Sequence, residues 1–110
     1  LAEAIVRNNN SVTQEAVDLL NQIRERAGLS AYSLSRYTNT DIFFNDVLLE
    51  RGHEFWFEGL RREDLIRHGK YKEKAIEKGS VTAQDWFNRM PLPQYVITEG
   101  RGQIIQNPNY

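Results

Sequence analysis

The chain has 110 residues and a formal net charge of −1, with 40% hydrophobic and 26% charged residues. That is the make-up of one folded domain or a piece of one, able to bury roughly two thirds of its unfolded surface. The balanced charge gives no electrostatic footprint for nucleic acid. No apolar run approaches the roughly 20 residues of a membrane helix. With no cysteine, thiolate metal sites, disulfides and cysteine nucleophiles are excluded.

The chain opens on Leu1, Ala4 and Ile5, spaced as one face of a helix, with no residue before them able to cap it. The expectation is a numbering that begins inside a helix, with more chain upstream. Asn8-Asn9-Asn10 breaks this helix. Ser11 with Gln14 has the form of a capping box, predicting a helix over 12–27. Its apolar stripe runs through Ala16, Leu20, Ile23 and Ala27 beside Val17, and Gly28 suits the left-handed residue just past the end. Two amphipathic helices joined by a short loop predict an antiparallel hairpin over 1–28, the unit of helical-repeat proteins.

Residues 31–40 are polar and read as a loop. Thr40 is placed as an N-cap with Asp41 in the first turn, opening a helix over 42–58. Gly52 falls inside it at a cost of about 1 kcal/mol relative to alanine, which implies a close approach by neighbouring backbone. Gly59 interrupts, a short helix follows over 61–67, and His68-Gly69 ends it. The charged segment 70–78 reads as a solvated, helix-permissive face. Thr82 with Asp85 resembles a second capping box ahead of Trp86 and Phe87. Pro91-Leu92-Pro93 cannot continue a helix, and 91–110 reads as an extended tail punctuated by Gly100, Gly102 and Pro108. The fold class is mainly α with no sheet.

Glu50, Glu54 and Glu58 repeat every four residues. Like charges at that spacing repel on a bare helix unless cations sit among them. Arg51, Arg61, Arg62 and Arg67 are available, and the arginine fork binds carboxylates bidentately. The reading is a structural ion-pair network of Glu50, Arg51, Glu54, Glu58, Arg61, Asp64 and Arg67, seated beside the aromatic run Phe55-Trp56-Phe57. The competing reading makes Glu54 and Glu58 a glycosidase pair. Surrounding arginines would lower both pKa values, whereas an acid catalyst needs one raised. His53-Glu54 lacks the second histidine of the zincin motif, since Phe57 stands there. No cofactor or metal site is expected. Among aromatics in boundary segments, Trp86 is the best single candidate for stacking on a ligand.

Three segments together resemble the SusD/RagB family. They are Asp18-Leu19-Leu20-Asn21-Gln22-Ile23-Arg24-Glu25-Arg26-Ala27-Gly28-Leu29, then Val47-Leu48-Leu49-Glu50-Arg51 with Glu54-Phe55-Trp56-Phe57-Glu58-Gly59, Arg61 and Asp64-Leu65-Ile66-Arg67, then Pro91-Leu92-Pro93-Gln94 closing on Gln106-Asn107-Pro108-Asn109-Tyr110. The family usually ends in Gln-Asn-Pro-Gly-Tyr, so Asn109 is a departure. So are Gly52-His53, Leu60 and 96–99. The resemblance implies tetratricopeptide-like helical hairpins and a non-enzymatic role. It implies the C-terminal part of a nutrient-binding lipoprotein on the external face of the outer membrane in Bacteroidota-type bacteria, held by a lipid anchor upstream. The implied partners are a SusC-like TonB-dependent transporter and a glycan, with ligand contacts largely upstream. The alternative is a helical-repeat adaptor with no nutrient ligand.

Overall fold

The computed structural model describes all 110 residues, as helices joined by turns and irregular segments, in two compact units, Leu1–Asp64 and Leu65–Tyr110. The chain is mainly α, as the sequence reading has it, and no helix is long and apolar enough to cross a membrane.

In the first unit, α1 (Ala2–Asn9) ends on Asn10, whose φ of 50° is left-handed. Asparagine tolerates that conformation because its short side chain can bond locally. Residues 10–13 lead into α2 (Gln14–Arg26), and the two helices pack against each other as the expected hairpin. The cap differs from the expected capping box. Thr13, not Ser11, has the extended backbone of an N-cap and accepts from the Ala16 amide at 3.3 Å. Starting one residue after Thr13 turns Ala16, Val17 and Leu20 inward, where all are buried. At the other end Gly28 is left-handed at φ 73°, and the Leu29 amide reaches back to the Arg24 carbonyl at 2.8 Å. This is the Schellman arrangement that a glycine permits.

The 31–40 loop holds one 3₁₀ turn (Leu34–Arg36) before α3 (Thr40–Glu54). Here the cap moves as well, by one residue rather than two, since the Asn39 side chain accepts from the Ile42 amide at 3.1 Å. Helix α3 stops at Glu54, four residues short of expectation. Phe57 takes a left-handed φ of 65°, rare for a bulky residue and incompatible with a continuing helix. The aromatic run therefore leaves the helix. Trp56 is 73% and Phe57 92% exposed, so neither lies in the core.

The core of this unit is Val6, Ala16, Val17, Leu20, Tyr37, Phe43 and Val47. Its aromatic spine meets edge to face, Tyr32 on Tyr37 at 6.3 Å, Tyr37 on Phe43 at 5.2 Å and Phe43 on Phe44 at 6.2 Å. Such geometry suits ring quadrupoles. Buried Asn21 ties the loop to α2. Its amide donates to the Tyr32 carbonyl at 2.9 Å and its oxygen accepts from the Tyr32 amide at 2.7 Å.

Helix α4 (Arg61–Arg67) has the expected bounds. Gly69 at φ 67° and a Lys70-to-Leu65 backbone bond of 2.8 Å close it as a Schellman end. In the second unit α5 (Tyr71–Glu77) follows, with no residue fully buried, and Lys70 holds the Glu73 carboxyl below its usual pKa through a hydrogen bond. Asp85 does not act in a capping box. It opens a 3₁₀ turn (Asp85–Asn88) whose N-cap, Gln84, makes no side-chain bond.

The tail is not extended throughout. It contains α6 (Gln94–Glu99), starting directly after Pro93, whose φ of −57° is already set for a helix. Six residues without proline or glycine then suffice for a short helix, and the Thr98 hydroxyl donates to the Gln94 carbonyl at 3.0 Å. The closing residues fold back on 89–92. Gln106 accepts from the Leu92 amide at 2.7 Å and donates to the Leu92 carbonyl at 3.0 Å. Asn107 donates to the Met90 carbonyl at 2.6 Å, and the Tyr110 hydroxyl to the Arg89 carbonyl at 2.7 Å. The terminal motif thus reads backbone groups that Pro91 and Pro93 keep out of regular structure.

Candidate functional site

Two features of the structure gather the residues singled out in the sequence. One is a set of ion pairs in the first unit, and the other is a cleft in the second.

Glu50 is 4% exposed and pairs with Arg24, whose Nε also donates to the Ser30 carbonyl at 2.9 Å. The Arg24 guanidinium lies over the Tyr32 ring at 3.7 Å. One charge is thus met by a carboxylate, a carbonyl and an aromatic face, which is how a near-buried arginine is stabilised. Glu54 pairs with Arg26 at the surface. Arg51 donates to Asp64 at 2.8 Å and covers the Phe55 ring at 4.9 Å. Arg61 donates instead to a backbone group, the Leu48 carbonyl at 2.6 Å.

Gly52 explains how Arg61 gets there. A Cβ at position 52 would stand 2.9 Å from Arg61 Nη1 and 3.2 Å from its Cζ. The close neighbour is a guanidinium rather than backbone. Glu58 lies exposed beyond the end of α3, so the three glutamates do not share one helix face. Arg67 sits in the last turn of α4. His53 is an exposed neighbour of Glu50, 3.9 Å from its Oε2.

A further pair was not anticipated. Arg36 donates to both oxygens of buried Asp46, at 2.7 and 3.1 Å, and its guanidinium lies over the Tyr32 ring, 4.6 Å from the centroid. Burial, then the Asp46 charge, pushes the Tyr37 phenol well above its ordinary value. A raised folded pKa contributes stability that is whole below the unfolded value of 10.0 and is lost as pH rises through the folded one. Tyr37→Phe should therefore show a shallower fall in melting temperature than the parent above about pH 10, followed by circular dichroism. Equal slopes would refute this.

An open groove of about 370 Å³ also marks the first unit, lined by side chains of α1, α2 and α3, Ile23 and Val47 among them, and by Phe55 just past the end of α3. Glu50, Arg51 and Glu54 form its polar edge.

In the second unit, Trp86 lines an open cleft of about 450 Å³ with Asp85, Asn88, Arg89, Pro108 and Asn109. Trp86 meets Phe87 edge to face at 6.1 Å, and Phe87 stacks on Tyr110 at 6.4 Å. Tyr110 belongs both to this stack and to the tail clamp on 89–92. Asp85 carries a salt bridge of 3.0 Å to Lys72.

The family model described as the SusD family matches residues 1–110, the whole chain. The chain belongs to the SusD family. This SusD-family chain is also similar to the starch-binding protein SusD of Bacteroides thetaiotaomicron, with 28% identity over 116 residues. That match covers 99% of the chain and 19% of the relative, so the chain spans about a fifth of the length of the curated relative it matches. No solved structure matches it.

Within the family frame the three signature segments acquire structural roles. The first carries Asn21, Arg24 and Arg26, which hold the loop and α3. The second carries Glu50, Gly52 and Arg61, and the last is the clamp of Gln106, Asn107 and Tyr110.

Proposed function

We propose that this chain is part of a non-catalytic capture protein that binds glycans or related nutrients at the cell surface and passes them to a SusC-like TonB-dependent transporter. The observation that carries the reading is the end-to-end match to the SusD family, joined by similarity to a starch-binding protein. The protein would sit on the external face of the outer membrane, tethered by a lipid anchor elsewhere in a longer chain. Residues 1–110 would be its C-terminal helical region, with a hairpin over 1–28, charged helices over 41–68 and the tail over 91–110.

The physical chemistry of the charged residues supports a scaffold role for them. Glu50, Arg51, Asp64 and Arg61 are satisfied by partners within the fold, and a carboxylate committed to an arginine is poorly placed to act as a proton donor. We read them as fixing α3 against α2 and the start of α4, leaving recognition to other surfaces.

Deleting the gene tests capture and delivery together. Growth on at least one polysaccharide as sole carbon source should be lost or slowed, with growth on its monosaccharide unchanged. Wild-type growth on every polysaccharide tested would count against the proposal and favour the adaptor reading.

A further inference from the structure

We infer that the Trp86 cleft is a sugar-binding subsite that takes one pyranose ring of a glycan chain, an inference that rests on the capture reading above. The cleft's volume of about 450 Å³ lies within the range of small-ligand sites, about 300–1,000 Å³.

A pyranose ring is amphipathic. Its C–H faces are apolar enough to lie on an aromatic ring, while its edge carries hydroxyls that both donate and accept. The cleft matches that division. Trp86 is 37% exposed and supplies a flat apolar surface with an indole N–H donor at its edge. Around it Asp85 offers carboxylate oxygens, Asn109 a carboxamide, and Arg89 guanidinium donors. Acceptors and donors thus stand on the same rim, as vicinal hydroxyls require.

The indole is also held. Its neighbour Phe87 stacks on Tyr110, and Tyr110 is anchored by its hydroxyl to the Arg89 carbonyl at 2.7 Å. A platform fixed before binding loses little freedom on binding. The Arg89 backbone is used in this bracing, while its side chain remains available to the cleft. Asp85 keeps a partner in Lys72 but its side chain is 82% exposed, so a hydroxyl can still reach it.

Other ligand classes fit less well. A phosphate or nucleotide would meet the Asp85 carboxylate. A purely apolar ligand would strip water from the polar rim and return no hydrogen bonds. The other exposed indole, Trp56, is paired with Phe57 at 5.3 Å and lines neither of the clefts described above.

The test measures affinity of the full-length protein for maltoheptaose and for xylan, mannan and pectic oligosaccharides, with wild type, Trp86→Ala, Trp86→Phe and Arg89→Ala compared on every sugar bound. At least a tenfold loss is expected for Trp86→Ala and at least a threefold loss for Arg89→Ala, with Trp86→Phe retaining more affinity than Trp86→Ala. Arg89→Ala removes no intramolecular bond of its side chain, so an unchanged melting temperature is expected, and it decides the matter should Trp86→Ala fold poorly. Wild-type binding with Arg89→Ala and Trp86→Phe both within twofold of it would overturn the subsite and leave the capture reading standing. No binding of any of these sugars by the wild type would overturn both.

Discussion

Glu50→Ala should destabilise the protein by about 3–5 kcal/mol, read as a lowered denaturant midpoint at unchanged slope. Both side chains of its pair with Arg24 are withdrawn from solvent, 5% and 11% exposed. Removing the carboxylate leaves a guanidinium held in place by the Ser30 carbonyl and the Tyr32 ring with no countercharge. The penalty for an uncompensated charge is several-fold larger than the net worth of the pair. The control is Glu54→Ala on the same helix. Arg26 is 65% exposed there, and a surface pair contributes only about 0–1 kcal/mol. Similar losses in the two variants would mean that burial does not set the cost, and the assignment of Glu50 as the anchor between α2 and α3 would fail.

Phe43→Ala is the second large effect, about 3–5 kcal/mol. Phe43 is wholly buried at the centre of the aromatic spine, between Tyr37 and Phe44. The truncation forfeits the transfer energy of the ring and leaves a hole bounded by Tyr37, a side chain that is itself fixed in the core. Phe44 gives the comparison, since it packs at the edge of the core under Arg7, whose guanidinium is 4.6 Å from the ring centre. Phe44→Ala should cost clearly less. Chemical denaturation of both variants settles the order, and an equal or larger loss at position 44 would contradict the placement of the core.

Much of this architecture was legible in the sequence, for local reasons. The hairpin followed from the apolar stripe through Ala16, Leu20 and Ile23, and α4 was bounded correctly because Gly59 and Gly69 flank it. Gly28 and Gly69 are left-handed where glycine removes the Cβ penalty. Caps were misplaced by one or two residues because several candidate side chains stood together. Ser11, Thr13, Asn39 and Thr40 can all accept a hydrogen bond from a backbone N–H, and only the backbone's extended geometry at Thr13 and Asn39 decides.

The misjudged segment was 55–58. Three aromatics after an amphipathic run read as more helix, but the backbone turns at Phe55 and goes left-handed at Phe57. Apolarity predicts burial without specifying the path of the chain. Partners of the acidic residues were illegible for a related reason. Nearby arginines looked sufficient, yet Glu50 and Glu54 bind Arg24 and Arg26, which are 26 and 28 residues away on α2. Ion pairs between helices are set by tertiary packing, and spacing within one helix cannot reveal them. One signal was present, because Asn21 lies four residues after Val17 on the buried stripe, a polar residue at a core position that must find bonds. The cleft was half visible. Trp86 stood out as an aromatic in a boundary segment, but its neighbours Pro108 and Asn109 arrive only because the tail folds back.

Titration calorimetry of the full-length protein against starch, xylan, mannan and pectin is the most direct test of the capture role. Saturable, carbohydrate-specific heat with at least one of them is the predicted result. No heat with any of the four, from a protein whose melting curve shows it folded, would contradict it.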